Sequence, residues 1–316
     1  MKKVLYMIAA LMLPIIITAG CSGSKENNKK SSDQMDIYTS IYPLEYLAKQ
    51  IGGDHVSVHS VYPPGTDAHT FEPTSKTVTD IAKSDGFIYM GAGMEGFAET
   101  TADALKNQDV HMLEIGKKAS LFKKASAEEE NEHEHKEHDG HDHGDKDPHI
   151  WLDPLKMIEI GEMVENNFAK WDPSHKKEYA ANMNKLQKEL TSLNADFSAE
   201  LKNSNQQHIL VSHAAYSYWE RYGIEQISIR GLSSSDEPSQ KELAKITRLA
   251  KEEKLHYVIY EKYKKDKLGQ LIQKQIGAKA LNIHNLEVLT QNDMDNHEDY
   301  MSLMRDNLSV LKKATQ

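Results

Sequence analysis

Five of the sixteen histidines in this chain, His133, His135, His138, His141 and His143, crowd into one run among Glu and Asp. A segment of that composition cannot fill a core, yet it offers many imidazoles to a divalent cation, so it reads as a flexible metal-collecting loop. The run ends abruptly in Asp147-Pro148-His149-Ile150-Trp151-Leu152-Asp153-Pro154. Here a single histidine stands between two prolines and beside a bulky indole, in a segment able to hold one side chain in one place. Asp153-Pro154 then opens a helix, with Asp as N-cap and Pro at the first helical position. His149 therefore reads as a fixed ligand set behind a loose collector.

A fixed ligand needs elements to position it, and the flanking sequence supplies a regular rhythm. Strands are expected at 36–41, 56–61, 86–90 and 110–115, with helices at 44–51, 74–83 and 95–105 between them. Beyond the histidine loop, Leu155 to Phe168 has helical spacing. Asp172-Pro173 then opens a longer helix with leucines at 186, 190, 193 and 201 and no Gly or Pro from Ser174 through Leu201. The βα rhythm resumes with strands at 208–212, 224–229, 256–260 and 280–283. Helices are expected at 216–222, from the capping box Ser239-Gln240-Lys241-Glu242 to Lys251, at 268–276 and at 297–313. The fold class is α/β: two lobes, each a parallel sheet flanked by helices, joined by one stiff connector helix that limits hinge motion.

In open α/β lobes, ligands collect at the carboxyl ends of strands and between lobes. Four metal-capable residues fall just past a predicted strand: His69, His149, His213 and Glu287. Two come from each half, so one ion held by all four would sit in the cleft. His55, His59, His111, His175, His208, His256, His284 and His297 are set aside as lying within predicted strands or on helix faces.

The length of 316 residues suits two lobes, and a hydrophobic share of 39% leaves enough for two modest cores. A formal charge of −10 argues against nucleic acid and for a cationic partner. Lys2-Lys3 precede an apolar run, Val4 to Ile17, that is short for a membrane span and ends in Thr18-Ala19-Gly20-Cys21. That is an export signal, and the chain's one cysteine sits where a lipoprotein signal places its lipidated residue. The expected organisation is a signal peptide over 1–20, a tether over 21–35 and a first lobe over 36–170 that contains the His-rich loop 128–147. A connector over 171–205 and a second lobe over 206–316 follow.

From about Asp36 to the C-terminus the chain resembles the zinc and manganese solute-binding lipoproteins of bacterial ABC importers, and within them the zinc-specific, ZnuA/AdcA-like branch. The resemblance is carried by Ser40-Ile41-Tyr42-Pro43, Gly52-Gly53-Asp54, Gly65 to Pro73, Asp147 to Pro154, Ser212-His213-Ala214-Ala215-Tyr216, Gly231-Leu232-Ser233, Asp236-Glu237-Pro238-Ser239 and Asn285 to Thr290. Ala68 and Asn285 stand where the family commonly has Pro, and Val288 where it has Gly; this last segment matches most loosely, so His284 or a water is an alternative to Glu287. The resemblance implies a monomeric, lipid-anchored protein on the extracytoplasmic face of the cell membrane. It would deliver metal to a permease and its ATPase, both separate chains, and catalyse nothing.

Three imidazoles and a carboxylate suit Zn2+, which accepts four N/O ligands without geometric penalty. Mn2+ prefers more oxygen, and the manganese branch resembles this chain with a carboxylate in place of His213. The competing classes are an exported zinc hydrolase and an adhesin. The hydrolase would need an open water position and a general base, and no His-Glu-x-x-His helix is present. A cell-adhesion role would need an exposed apolar patch, which the sequence does not display.

Overall fold

The computed structural model describes residues 34–122, 146–262, 264 and 266–316. The expected export signal, Cys21 and the histidines at 133–143 lie outside them. Residues Gln34–Gln316 form one compact unit.

In the first half, β1 (Met35–Thr39), β2 (Val56–Ser60), β3 (Gly86–Tyr89) and β4 (His111–Glu114) pair in parallel in the order β2-β1-β3-β4. Between them run α1 (Tyr42–Gly52), α2 (Ser75–Ile81) and α3 (Gly96–Leu105). Every residue of β3 is buried, as a strand covered on both faces requires. In the second half, β5 (His208–Val211), β6 (Glu225–Ser228), β7 (Tyr257–Glu261) and β8 (Lys279–Ile283) repeat the arrangement as β6-β5-β7-β8, again parallel. Each sheet thus reverses its winding beside its first strand, and such a switch point is where open α/β sheets bind ligands.

Two helices lie between the sheets in sequence. The first, α4 (Pro154–Trp171), starts where expected: the Asp153 side chain accepts the Leu155 amide, and Arg221 grips that carboxylate at 2.6 and 2.7 Å. The second, α5 (Lys176–Leu201), spans 26 residues and buries Leu186, Leu190, Leu193 and Leu201 with Tyr179, Met183 and Phe197. It begins after a 3-10 turn at Pro173–His175, so the helix proper starts two residues later than the Ser174 boundary. At roughly 2 kcal/mol for each fully buried leucine, this face fixes the helix far more firmly than its intrinsic propensity could.

Four helices complete the second half: α6 (Gln240–Glu252), α7 (Lys267–Ile276), α8 (Gln291–Asp295) and α9 (Tyr300–Ala314). Three expectations need correction here. Ser217–Tyr222 is a 3-10 segment, not the α-helix expected over 216–222, and it stops at Gly223 in the left-handed region (φ 81°). The short helix α8 was not foreseen. The last helix begins at Tyr300, not His297, because His297 itself has a φ of 56° and Asp299 forms the capping box with Ser302.

The core is continuous from Ile37 and α1 through α4 and α5 to Ile209, Val211, Ile259 and Ile283 on one face of the second sheet. The opposite face has its own smaller core, where Leu210, Val258 and Tyr260 meet Leu243, Ile246 and Ile272 of α6 and α7. Among the described residues no helix is long and apolar enough to cross a membrane.

Candidate metal centre

Each of the four candidate ligands lies on a loop just past a strand, except His149, which precedes α4. All four are buried: His69 is 6% exposed, His149 0%, His213 1% and Glu287 2%. Ring centroids are 5.7 Å apart for His69 and His149, 5.4 Å for His69 and His213, and 4.9 Å for His149 and His213. One ligand-capable atom from each imidazole lies within 4.8 Å of the others. Glu287 Oε1 stands 3.4 Å from His69 Nε2 and 3.7 Å from His149 Nε2. Donors about 2.0–2.1 Å from a tetrahedral zinc would be about 3.3 Å apart, so part of the centre is already at that spacing.

Three of the ligand loops share one local device. The Asp67 carboxylate accepts the His69 amide at 3.0 Å, that of Asp147 accepts the His149 amide at 3.0 Å, and the Asn285 side chain accepts the Glu287 amide at 3.2 Å. An Asx side chain two residues before the ligand folds the backbone into a turn that aims the following side chain. In the last loop this brings Leu286 to a φ of 61°, held by complete burial of its side chain.

The loops are also tied to one another. Trp151 Nε1 donates to the Asn285 carbonyl at 2.7 Å, Gly65 N to the Leu289 carbonyl at 2.9 Å and Tyr42 N to the Glu287 carbonyl at 2.8 Å. Ser217 donates to the Asp147 carboxylate, and the Tyr218 hydroxyl donates to the Asp147 carbonyl at 2.9 Å.

Orientation of the rings comes from carboxylates behind them. His149 Nδ1 lies 2.8 Å from Asp147 Oδ1, and His213 Nδ1 lies 2.7 Å from Glu261 Oε1. A carboxylate on the far nitrogen fixes the tautomer and strengthens the near nitrogen as a donor. His213 Nε2 is also engaged, at 2.6 Å from the Leu232 carbonyl. Among the described residues, the buried His149 Nε2 and Glu287 Oε1 make no well-formed hydrogen bond and face each other at 3.7 Å. Buried polar atoms without such bonds are costly, and a bound cation would satisfy both.

The electrostatics fit that reading. Burial alone would lower the His149 imidazole, but Asp147 and Glu287 push it up to about 9. Burial alone would raise the Glu287 carboxyl, yet His69, His149 and Lys264 hold it well below the ordinary carboxylate range. Glu261 follows the same pattern, with burial overcome by His213 and Lys264.

His284, the alternative to Glu287, is buried but turned away. It follows β8 rather than lying within a strand; its Nε2 contacts Asp293 at 3.1 Å, and its Nδ1 accepts the Leu286 amide at 2.9 Å. The other histidines set aside lie apart from the cluster, several against surface carboxylates such as His55 on Glu178, His59 on Asp36 and His208 on Glu225. Sequence reasoning missed Glu261, Lys264 and Leu232. Glu261 could have been found as an acidic residue ending a strand; a backbone carbonyl such as that of Leu232 leaves no signal in side-chain type.

Comparison with known proteins bears on the family to which the chain belongs. Residues 37–314 match the family model described as zinc-uptake complex component A, periplasmic (ZnuA). The chain is 31% identical over 316 residues to the zinc-binding lipoprotein AdcA of Streptococcus pneumoniae, covering all of this chain and 61% of that one. It is 29% identical over 311 residues to the high-affinity zinc uptake system protein ZnuA of Bacillus subtilis, covering 98% and 96% of the two chains. The crystal structure of Zn(II)-bound AdcA from Streptococcus pneumoniae superposes with a TM-score of 0.74 at 29% identity, over 89% of this chain and 58% of that one. Two sheets of the same winding, a long intervening helix and a family match over nearly all the described residues lead to one conclusion: this chain belongs to the ZnuA family of zinc-uptake components, a family of solute-binding proteins and not of enzymes.

Proposed function

We propose that this protein captures a zinc ion outside the cytoplasm with His69, His149, His213 and Glu287 and hands it to the permease of an ABC importer powered by a separate ATPase. The observation that carries the reading is the convergence of four buried side chains from distant loops, with Glu287 Oε1 between two imidazoles. Three imidazoles favour zinc over manganese, whose preference is for oxygen. A fourth protein donor closes the shell, which favours holding an ion over activating water. The names of the relatives, both zinc proteins, support the same choice.

The reading extends to parts outside the described residues. Cys21 after a signal peptide over 1–20 is the lipid anchor, 21–35 is the tether, and His133, His135, His138, His141 and His143 gather zinc weakly before transfer. The protein works as a monomer, with lobes over 36–170 and 206–316 and the connector over 171–205. The test is metal analysis and calorimetric titration of the purified chain with zinc and manganese, followed by a crystal structure with anomalous scattering at the zinc edge. One tightly held zinc on these four residues is expected; a preference for manganese, or an ion located elsewhere, overturns the assignment.

A further inference from the structure

A cation already sits beside the candidate centre. The Lys264 side chain is 33% exposed, but its Nζ is shut off from solvent. That ammonium lies 2.8 Å from Glu261 Oε2 and 3.0 Å from Asp67 Oδ2. Burial works against its charge, and Glu287, Glu261 and Asp67 together raise it above the ordinary lysine range.

Both carboxylates that Lys264 touches have a second task at the centre. Glu261 Oε1 orients His213 through Nδ1, and Asp67 Oδ1 holds the amide of His69 while its Oδ2 receives the Ser234 hydroxyl at 2.8 Å. A buried ammonium needs paired anions, but it has no need for anions that are themselves behind metal ligands. Placed here, it acts on a dication in two ways with the same sign. It draws on the Glu261 charge that would otherwise strengthen His213 as a donor. It also adds a positive charge in a low-dielectric setting where repulsion is weakly screened.

We infer that Lys264 sets an upper limit on the affinity of the His69–His149–His213–Glu287 centre for zinc, so that the ion can leave again. A protein that passes its ion on must release it, and among closely related complexes affinity differences reside mostly in the rate of leaving. The inference rests on the zinc-capture reading above.

The experiment compares the full chain with Lys264→Gln, Lys264→Met and Lys264→Arg. Zinc affinity is read by competition with a chromophoric chelator, and release by stopped-flow mixing with excess EDTA. The Gln and Met variants should bind zinc about ten-fold tighter or more and release it correspondingly more slowly, within the ~10–100-fold range typical of groups behind metal ligands. Lys264→Arg, which keeps the charge, should behave as the parent chain does. A role confined to bridging Asp67 and Glu261 gives the opposite sign, with weaker binding and faster release. Unchanged or weaker binding in the neutral variants, while the parent chain holds zinc, overturns the inference and leaves the zinc reading intact. A parent chain that takes up no zinc removes both. The Met variant keeps the packing of the stem and provides the reading where the Gln variant is too unstable to purify.

Discussion

The segment Asp147–Asp153 and the segment from Ser212 to Leu232 each bring one imidazole to the centre, and they hold it differently. His149 is fixed from behind by Asp147, which is itself held by Ser217, and among the described residues its Nε2 faces only Glu287, at 3.7 Å. His213 is engaged on both sides, by Glu261 at Nδ1 and by the Leu232 carbonyl at Nε2. For His213 to coordinate through Nε2, that carbonyl must let go. Leu232 borders a cavity of about 440 Å³ shared with Asp147, Ser217 and Ile246, which gives its loop room to shift. The contrast teaches that one candidate ligand is preset by the fold while the other is held against a loop carbonyl. Preorganisation governs how tightly an ion is held, and a loop step governs how fast the hold is completed.

The sharpest test removes the preset ligand. His149→Ala should lower zinc affinity by more than the ~10–100-fold expected of an outer-shell change, whereas His297→Ala should leave it unchanged, both read by competition titration. Equal losses in the two variants would break the contrast.

A second comparison concerns two buried carboxylates. Glu287 faces imidazoles and an ammonium, while Glu95 accepts from the Ser40 hydroxyl and the amides of Met90 and Gly91 and has the Glu99 charge nearby. Burial raises Glu95 to about 7, and these neutral donors offset it only in part. In the unfolded chain the same carboxyl titrates near 4.5. Between those values the native state holds the extra proton, so the contribution of Glu95 to stability is fully present below pH 4.5, falls as pH rises to about 7 and then levels. Glu95→Gln should flatten that fall, by up to about 3 kcal/mol, in chemical denaturation at pH 5 and pH 8. Parallel pH profiles for the two proteins would show that neutral donors suffice to keep Glu95 ionised.

Next in size is Asp147→Asn, which keeps the Asx turn but removes the charge behind His149. It should weaken zinc about 10–100-fold and also lower the melting temperature of the metal-free protein, because the buried His149–Asp147 pair loses its anion. The smallest effect belongs to the His-rich run: deleting 128–145 should leave the tight affinity unchanged and slow capture only when zinc is scarce. A lost tight site would mean that the run supplies a ligand.

Much of this was legible in the sequence because it is local. The βα rhythm placed the eight strands of the described residues within a residue or two, and Asp153-Pro154 announced the start of α4. Three of the ligand candidates, His69, His213 and Glu287, lie past strands as expected, whereas His149 precedes α4. The Asx residues at Asp67, Asp147 and Asn285 were in plain view, but their part depends on turn geometry that residue type alone leaves open. Glu261 and Lys264 matter only because β7 ends beside His213, a long-range pairing that no local pattern encodes. The 3-10 path of Ser217–Tyr222 has the same cause: Tyr218 and Trp219 donate to the Asp147 and Leu152 carbonyls, and tertiary bonds outweigh helical spacing.

The indole that joins two of the ligand loops gives the molecule an optical signature of its own. Trp151 is fully buried, bonds the Asn285 carbonyl and lies 5.2 Å from the His149 ring. A dication arriving at that imidazole places its field on the excited-state dipole of the indole. The intrinsic emission of the unlabelled protein should therefore shift as the ion enters, and Trp151→Phe should silence that response.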